Sequence, residues 1–399
     1  AYTGQEQDTT GLIRQSGPPA NPQISSEEKL FSSLETSPAP APPQTLRPTR
    51  LARHPPTPPN TPMLTRTRRL LTPALAAWTL LWLTLGDRTG FLALLNAFTF
   101  WGLVASLPGA IISGRRPGGH WARLAALLSL FGLTTRYRRI LFPTPQSPIP
   151  NPQSLRVLTF NLLKTDRDLA PVFAMLDRED PDIVCFQEVT PILAARLEAG
   201  LAERFPFRHW QPYAPTRMGL GIASRLPFAI TDLFAHPGLE PFALGATVIT
   251  PAGPLQIYAV QLVSPTNEVR CLGLTPLLRL RTQQARRLFA ALDAAPHPAL
   301  AVGDWNTTEG SDIYREAARR FTDAWTTGGQ PLWRGPSAWP GTWPTTANPF
   351  ADVPIPPLLR LDYCFLSRTP TLTATHIHVV RDRLGSDHCP VVVELGIGD

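Results

Sequence analysis

Several carboxylate, amide and imidazole side chains in the C-terminal part of this chain follow short apolar runs that are typical of strands. The run LRVLTF at 155–160 stops at Asn161, and ALAVG at 299–303 stops at Asp304. Strand ends are where ligand sites gather in α/β sheets, so we expect such residues to converge. The polar residues that follow this pattern are Asn161, Glu188, Asp304, Asn306, Asp362, Asp387 and His388.

These residue types suit metal-assisted attack of water on a phosphoester. Glu188 and Asp387 offer hard oxygen ligands, which with an amide oxygen favour Mg²⁺, or Mn²⁺ as the alternative. His388, held by a carboxylate such as Asp362, would keep one tautomer and stabilise developing charge.

Asp304 could accept a proton from water, and Asn306 could orient the phosphate. Taken singly, an Asp or Asn at the end of a strand is more often a turn residue, and a lone His is more often structural. The combination of all these residues in this order is what favours a catalytic site.

The elements that must position these residues form one α/β domain over residues 155–399. Its β-rich runs begin at residues 155, 182, 256, 299, 361 and 391. Thr190-Pro191 is a good N-cap and first-turn pair for one helix, and residues 276–294 form another. Because helices lie between some strands and loops between others, a sandwich of mixed sheets with outer helices fits better than a barrel.

The chain before this domain has three parts of different composition. Residues 1–66 are rich in proline and poor in large apolar residues, which predicts a disordered tail. Residues 67–142 are strongly apolar and predict a membrane region of two or three helices. Residues 143–154 (PTPQSPIPNPQS) are a proline-rich linker.

The predicted membrane helices lie in three uncharged runs. The run from 90 to 112 has 23 residues without a charge, which at about 1.5 Å per residue is long enough to cross a bilayer core. The run at 70–85 is shorter, and the run at 124–135 either spans or lies along the surface. A buried helical hairpin of a soluble domain is the alternative.

The arginines that flank these runs bear on topology. Arg66, Arg68 and Arg69 place the N-terminus in the cytoplasm by the positive-inside rule. Three spans then put the rest of the chain outside, and two spans put it inside. Arg136 and its neighbours favour the inside, so charge alone leaves both topologies open.

Whole-chain composition excludes little by itself. The chain has 399 residues, 46 of them proline, and a formal net charge of +7. The four cysteines form no CxxC pair, which argues against a disulfide scaffold and a structural zinc site. The basic excess suits anionic lipid, phosphate substrates or nucleic acid. Since many of the arginines flank the apolar runs, we interpret it as a topology and lipid-contact signal.

Five short motifs in order resemble the endonuclease/exonuclease/phosphatase superfamily over residues 155–397. They are TFN at 159–161, FQEV at 186–189, GDWN at 303–306, RLDY at 360–363 and SDHCPV at 386–391. The resemblance implies a four-layer α/β sandwich, two sheets face to face with helices outside, and Mg²⁺-dependent phosphoester cleavage.

Carried over by position, the resemblance also assigns roles. Glu188 would be the main metal ligand, with Asn161 and Asp387 near the same ion. Asp304 would activate or orient water, and Asn306 would hold the phosphate. Asp362 and His388 would form an Asp–His pair.

One position departs from the pattern. Many members have His-Leu where this chain has Gln261-Leu262. Glutamine can hydrogen-bond a phosphate but cannot supply a proton at neutral pH, so Gln261 is a candidate substrate-binding residue.

The order of membrane region, proline-rich linker and catalytic domain is similar to one branch, the membrane-anchored bacterial proteins of the VanJ type. That likeness implies an extracytoplasmic domain at the plasma membrane and a lipid phosphate or pyrophosphate as substrate. A nuclease of the same superfamily is one alternative, with Arg208, Trp210, Arg217 and Arg225 as candidate contacts. A catalytically weak membrane scaffold is the other.

Overall fold

The structure is a computed structural model in which the described residues are 62–113, 119–146, 149–150, 152–163, 168–212, 219–236, 241–264, 273–345, 357–382 and 384–398. Within these ranges only the backbone is described for residues 62–69 and 109–113. The predicted tail therefore lies outside the described residues, except for its last few positions, which belong to the first helix.

Helices make up the N-terminal part of the described chain. They are α1 Pro62–Leu85, α2 Gly90–Asn96, α3 Thr99–Ser113, α4 Gly119–Gly132 and, after a π-helical turn at Leu133–Tyr137, α5 Arg138–Leu141. Both α1 and α3 pack against α4.

From the sequence we expect the uncharged run at 90–112 to form one helix. In the structure it is broken between α2 and α3, where Asn96 and Thr99 form side-chain hydrogen bonds. Asn96 is buried, and its Nδ2 donates to Gly86 O at 3.1 Å and to Asp87 Oδ1 at 2.9 Å. Thr99 Oγ1 donates to Asn96 O at 2.7 Å. The Thr99 bond satisfies the Asn96 carbonyl oxygen at the break, and the two amide bonds join the break to the α1–α2 turn.

Among the described helices, none is by itself long and apolar enough to cross a membrane. The segments Leu70–Leu85 and Gly90–Asn96 pass that test of length and composition only as a pair, and they are bent by 112° relative to each other.

Two mixed six-stranded sheets follow, and five α-helices accompany them among the described residues. The strands are β1 Gln153–Asn161, β2 Ile183–Val189, β3 Phe207–Gln211, β4 Gly219–Ser224, β5 Phe228–Phe234, β6 Ala243–Thr250, β7 Gly253–Gln261, β8 Ala299–Asp304, β9 Thr322–Asp323, β10 Asp362–Leu366, β11 Leu372–Val379 and β12 Val391–Ile397. The helices are α6 Ala170–Glu179, α7 Pro191–Leu201, α8 Leu274–Ala294, α9 Asp312–Arg320 and α10 Trp325–Gly328. The six strands and two helices predicted from the sequence are all present.

Each sheet has one parallel pair at its centre. The first sheet has the order β11-β12-β1-β2-β4-β3, with β1 parallel to β2. The second has the order β5-β6-β7-β8-β10-β9, with β7 parallel to β8. Other neighbours are antiparallel, and Asp362 at the start of β10 lies opposite Asp304 at the end of β8. The polar strand ends of both sheets can therefore meet.

Apolar side chains from both sheets share one core, and helices cover the outer faces. Leu176 of α6 and Leu193 of α7 pack on the first sheet, and Leu288 of α8 and Ala317 of α9 belong to the core of the second. The predicted α/β sandwich of two mixed sheets flanked by helices is thus confirmed. The N-terminal helices extend the same core, into which they contribute Trp82, Leu103 and Tyr137, among others.

Candidate active site

Residues from the ends of two parallel strand pairs, one pair in each sheet, come together at one edge of the sandwich. Asn161 ends β1 and Gln261 ends β7, whereas Asp304 is the last residue of β8. Glu188 lies one residue before the end of β2. The two sheets therefore each supply half of the site.

Hydrogen bonds join these two halves. Asn161 Nδ2 donates to Glu188 Oε1 and to Asp304 Oδ2, both at 3.1 Å. The Asn306 backbone N–H donates to Asp304 Oδ1 at 2.8 Å, and Asn306 Nδ2 donates to Asp304 Oδ2 at 2.9 Å. Asp304 is fully buried and has both carboxylate oxygens oriented by these donors.

The backbone is unusual at two site residues. Glu188 and Asn306 have φ values of 58° and 46°, in the left-handed region that few non-glycine residues adopt. Glu188 also lies at an irregularity in the β2–β4 pairing, between Gln187 and Val189. Such a bulge re-aims a side chain relative to the regular alternation of a strand.

Gln261 contacts Glu188 twice. Its Oε1 accepts from the Glu188 backbone N–H at 3.2 Å, and its Nε2 donates to Glu188 Oε1 at 3.3 Å. The structure thus places the predicted substrate-binding amide against the predicted metal ligand.

Asp362 and His388 form a close pair on the other side of Asp304. Asp362 Oδ2 and His388 Nδ1 are 2.9 Å apart, and His388 Nε2 lies 3.8 Å from Asp304 Oδ2. The backbone N–H of His388 donates to Ser386 Oγ at 3.1 Å, and that hydroxyl donates to the backbone carbonyl oxygen of Asn161 at 2.6 Å. Ser386 therefore ties the histidine loop to the end of β1.

Burial and charge shift two pKa values in this cluster. Burial raises the pKa of Asp304 to about 7, although the neighbouring His388 acts in the opposite direction. Burial disfavours the charged form of His388, but the carboxylates of Asp362 and Asp304 outweigh it and raise its pKa to about 10. A cationic imidazole beside a carboxyl with a near-neutral pKa suits acid–base chemistry.

The donor set fits a divalent cation. Ligand atoms of Asp304, Asp362 and His388 lie within 4.8 Å of one another. Two of these three are already hydrogen-bonded as a pair, whereas Glu188 beside Asn161 offers further oxygen atoms. Asp362 Oδ1 is buried without a partner. Several buried carboxylates with hard oxygen donors are costly unless a cation or donors compensate them.

Asp387 is less closely joined to the cluster than the other predicted ligands. Its Oδ2 accepts from Trp343 Nε1 at 3.0 Å, and its side chain is half-buried. It nonetheless lines the same cavity as Glu188.

Two residues that contribute to the site were not predicted from the sequence. Trp343, in the GTWP segment at 341–344, holds Asp387. Arg281 on α8 is buried, and its Nη1 donates to the carbonyl oxygen of Asn306. A usable signal existed for Arg281, since it lies four residues from both Leu277 and Ala285 and so belongs to the buried face of the helix. Burial lowers its pKa to about 10.

The basic and aromatic residues considered for nucleic-acid contact are engaged with acidic side chains. Arg208 and Trp210 both donate to Glu198. Arg225 pairs with Asp180. Arg217 lies outside the described residues.

A cavity of about 710 Å³ opens over the site. Its lining includes Glu188, Asp304, Asn306 and His388, and also residues of the α1–α2 turn, α2 and α8. Pockets of this volume are typical of small-molecule sites.

Among solved structures, the chain is similar to D. rerio TDP2 complexed with single strand DNA product (19% identity, 61% of this chain and 98% of that one, TM-score 0.48). It is also similar to an endonuclease/exonuclease/phosphatase from Beutenbergia cavernae (23%, 61% and 72%, TM-score 0.46). No curated protein matches the chain. The model of the Endonuclease/Exonuclease/phosphatase family matches residues 158–388, so the chain belongs to that family.

Proposed function

We propose that this chain is a membrane-anchored, Mg²⁺-dependent phosphoesterase that hydrolyses a lipid phosphate or pyrophosphate. The observation that carries the phosphoesterase assignment is the convergence of Asn161, Glu188, Asp304 and the Asp362–His388 pair at one buried edge. Carboxylates, amides and an imidazole at these distances can bind a phosphoester, activate water and balance charge.

Glu188 and Asn161, with Asp387 across the cavity, would hold the ion. When bound, Mg²⁺ supplies Lewis-acid stabilisation of negative charge on the phosphate. Gln261 keeps Glu188 in place from the second sheet.

Asp304 is the residue that accepts a proton from the attacking water. Asn306 and Asn161 donate hydrogen bonds that fix its carboxylate. His388, oriented through Nδ1 by Asp362, directs Nε2 toward the same space and stabilises charge on the phosphoryl oxygens.

The exposed surface of the N-terminal helices supports the lipid assignment. Large apolar side chains on α1 to α4 remain accessible, including Leu70, Phe91, Leu127 and Phe131, each more than half exposed. Large exposed apolar patches mark interaction with membrane or protein, and these side chains are candidates for such a patch. An anchored enzyme meets a membrane substrate at a raised effective concentration.

We place the domain outside the cytoplasm, as in the membrane-anchored branch. Two of the N-terminal helices contact the domain: Trp82 Nε1 on α1 donates to Gly310 O at 2.7 Å, and Trp101 Nε1 on α3 donates to Leu358 O at 2.9 Å. The proposal needs three passes between a cytoplasmic N-terminus and the domain, whereas none of the described helices is by itself long and apolar enough to cross a membrane. Reporter fusions after Phe142 test this topology, and a cytoplasmic signal there would contradict it.

The assignment of activity is tested with the full chain in detergent micelles. Phosphate release from lipid diphosphates and nicking of plasmid DNA are measured with Mg²⁺ and with EDTA. We expect release from the lipid that EDTA abolishes and that Asp304→Asn lowers by about 10²- to 10⁴-fold. Plasmid nicking without lipid cleavage would identify a nuclease instead. The enzyme assignment would be refuted if Asp304→Asn released phosphate at the wild-type rate, or if neither substrate were cleaved in a metal-dependent way.

A further inference from the structure

One cavity joins two chemically different surfaces of this molecule. At one side lie the catalytic residues, among them Asp304, Asn306 and His388. At the other, α2 and the segment after it present Ala93, Leu94 and Phe98, and α8 presents Leu278. A phosphate alone would use only the first surface.

The wall that α2 forms is a fixed part of the fold. Gly90 packs so closely on α8 that a Cβ there would lie 2.7 Å from Leu274 Cγ. The Asp87 and Asp312 carboxylates each accept the other residue's backbone N–H, at 2.8 and 2.9 Å. The α1–α2 turn is therefore joined to the start of α9, which follows the catalytic loop.

This wall leaves apolar surface uncovered. Leu94 is 52% exposed and Phe98 is 44% exposed, although both line a cavity that leads to the catalytic residues. Arginines and carboxylates both line this cavity, among them Arg88, Arg279 and Glu316, so the observation that points to a ligand is the apolar wall. An apolar wall and a phosphoester site in one space match an amphiphile with a phosphate head.

We infer that the groove between α2 and α8 binds the hydrocarbon chain of the substrate, while the phosphate lies against the part of the cavity wall that Asn306 and His388 form. This inference rests on the proposed function and specifies where the lipid is recognised. The N-terminal helices then contribute to substrate specificity, in addition to any role as an anchor.

The inference is tested by varying the length of the substrate's alkyl chain and assaying each substrate with the full-length protein. Phosphate release is compared for a series of alkyl phosphates of increasing length, presented in the same detergent micelles, and for p-nitrophenyl phosphate. We expect kcat/KM to rise by up to about fourfold per added methylene until the chain exceeds the apolar wall. A flat series, with p-nitrophenyl phosphate hydrolysed, would overturn the inference and leave the phosphoesterase assignment intact.

Two substitutions on the same helix separate groove binding from general contact with micelles. Leu94→Gln places an amide in the groove, whereas Phe91→Gln changes a neighbouring exposed residue that does not line the cavity. We expect the ratio of kcat/KM for the longest to the shortest chain to fall at least about tenfold in Leu94→Gln. In Phe91→Gln the ratio should stay within about twofold of wild type.

Equal losses in the two variants would show that the effect comes from micelle contact and would overturn the inference. If Leu94→Gln fails to fold, Leu278→Gln tests the opposite wall by the same ratio. A wild-type protein without activity on any phosphoester would remove the proposed function, and the inference with it.

Discussion

Gln261 shows how one residue type can change its role within a familiar arrangement. At the position where the family resemblance leads us to expect a histidine, the amide here bonds both the backbone and the side chain of Glu188. It cannot supply a proton at neutral pH, but it can orient a metal ligand. The proton inventory of the site then rests on Asp304 and His388.

Replacing Gln261 by Ala should lower kcat/KM by about 10- to 100-fold and raise the Mg²⁺ concentration needed for half-maximal rate, because Glu188 loses its orienting partner. The measurement is a Mg²⁺ titration of phosphate release. Gln256→Ala is the matched control, since Gln256 lies on the same strand and bonds Thr231 and Thr247 away from the site. An unchanged Mg²⁺ requirement in Gln261→Ala would contradict an orienting role.

Glu309 predicts a pH dependence of stability. Burial raises its pKa to about 7, although Arg360 at 3.7 Å opposes the shift. Between pH 4.5 and 7 the folded protein then holds more protons at Glu309 than the unfolded chain, so this contribution to stability is present below that range and is lost as pH rises through it. Glu309→Gln should remove up to about 3 kcal/mol of this decline. Urea unfolding at several pH values measures it, and parallel curves for the two proteins would refute it.

The candidate site residues could be located in the sequence because each lies beside an apolar run, but their geometry could not be predicted. The pattern places Glu188 at a strand end without revealing the bulge that turns it toward Gln261. Arg281 and Trp343 reach the site from a helix and a loop that are distant in sequence, so their contacts depend on tertiary packing. Periodicity places Arg281 on a buried face, but it does not identify Asn306 as its partner.

At the scale of elements, the α1–α2 turn is the point where the N-terminal helices join the catalytic domain. Trp82 is fully buried, and its indole donates to the carbonyl oxygen of Gly310, which follows the loop of Asp304 and Asn306. A bond at this position couples the end of α1 to the start of α9.

Trp82→Phe should lower the free energy of unfolding by about 1–3 kcal/mol, because the buried Gly310 carbonyl loses its donor. Thermal or urea denaturation of the full chain in detergent measures the loss. Trp121→Phe on α4 serves as control, since Trp121 is 44% exposed. Equal stability of the two variants would argue against a structural junction at Gly310.

The elements themselves were predictable where apolar residues are continuous. The central strands β1, β2, β7 and β8 each contain a mostly apolar run, and the sequence predicts them. By contrast, β5 has an almost entirely exposed, mixed pattern at the edge of its sheet, so it carries no such signal. The break after Asn96 could not be predicted from the absence of charge, because an uncharged asparagine can still form the hydrogen bonds of a turn through its side-chain amide.

At the scale of the whole molecule, the N-terminal helices combine a face that packs into the catalytic core with a face of exposed apolar residues. Leu127 and Phe131 on α4 belong to the second face. Removal of the helices would take Trp82, Leu103 and Tyr137 out of the shared core, so the full chain is the appropriate object for assays.

Leu127→Glu should reduce the fraction of protein that sediments with anionic lipid vesicles, because it adds a charge to the face proposed to contact lipid. The matched control is Ile249→Glu, which changes an equally accessible residue on the catalytic domain. If both variants sediment like wild type, α4 does not contribute to membrane contact.

The division of the site between two sheets has a mechanical consequence. Asn161 and Glu188 belong to one sheet and Asp304 to the other, so the gap between the sheets sets the distance from metal ligand to base. Val302 is buried two residues before Asp304, on the same face of β8. Val302→Ala removes two methyl groups from the core, which should change the distance between the sheets and lower kcat. The circular dichroism spectrum should stay unchanged. The turnover rate of this protein would then report on the distance between its two sheets.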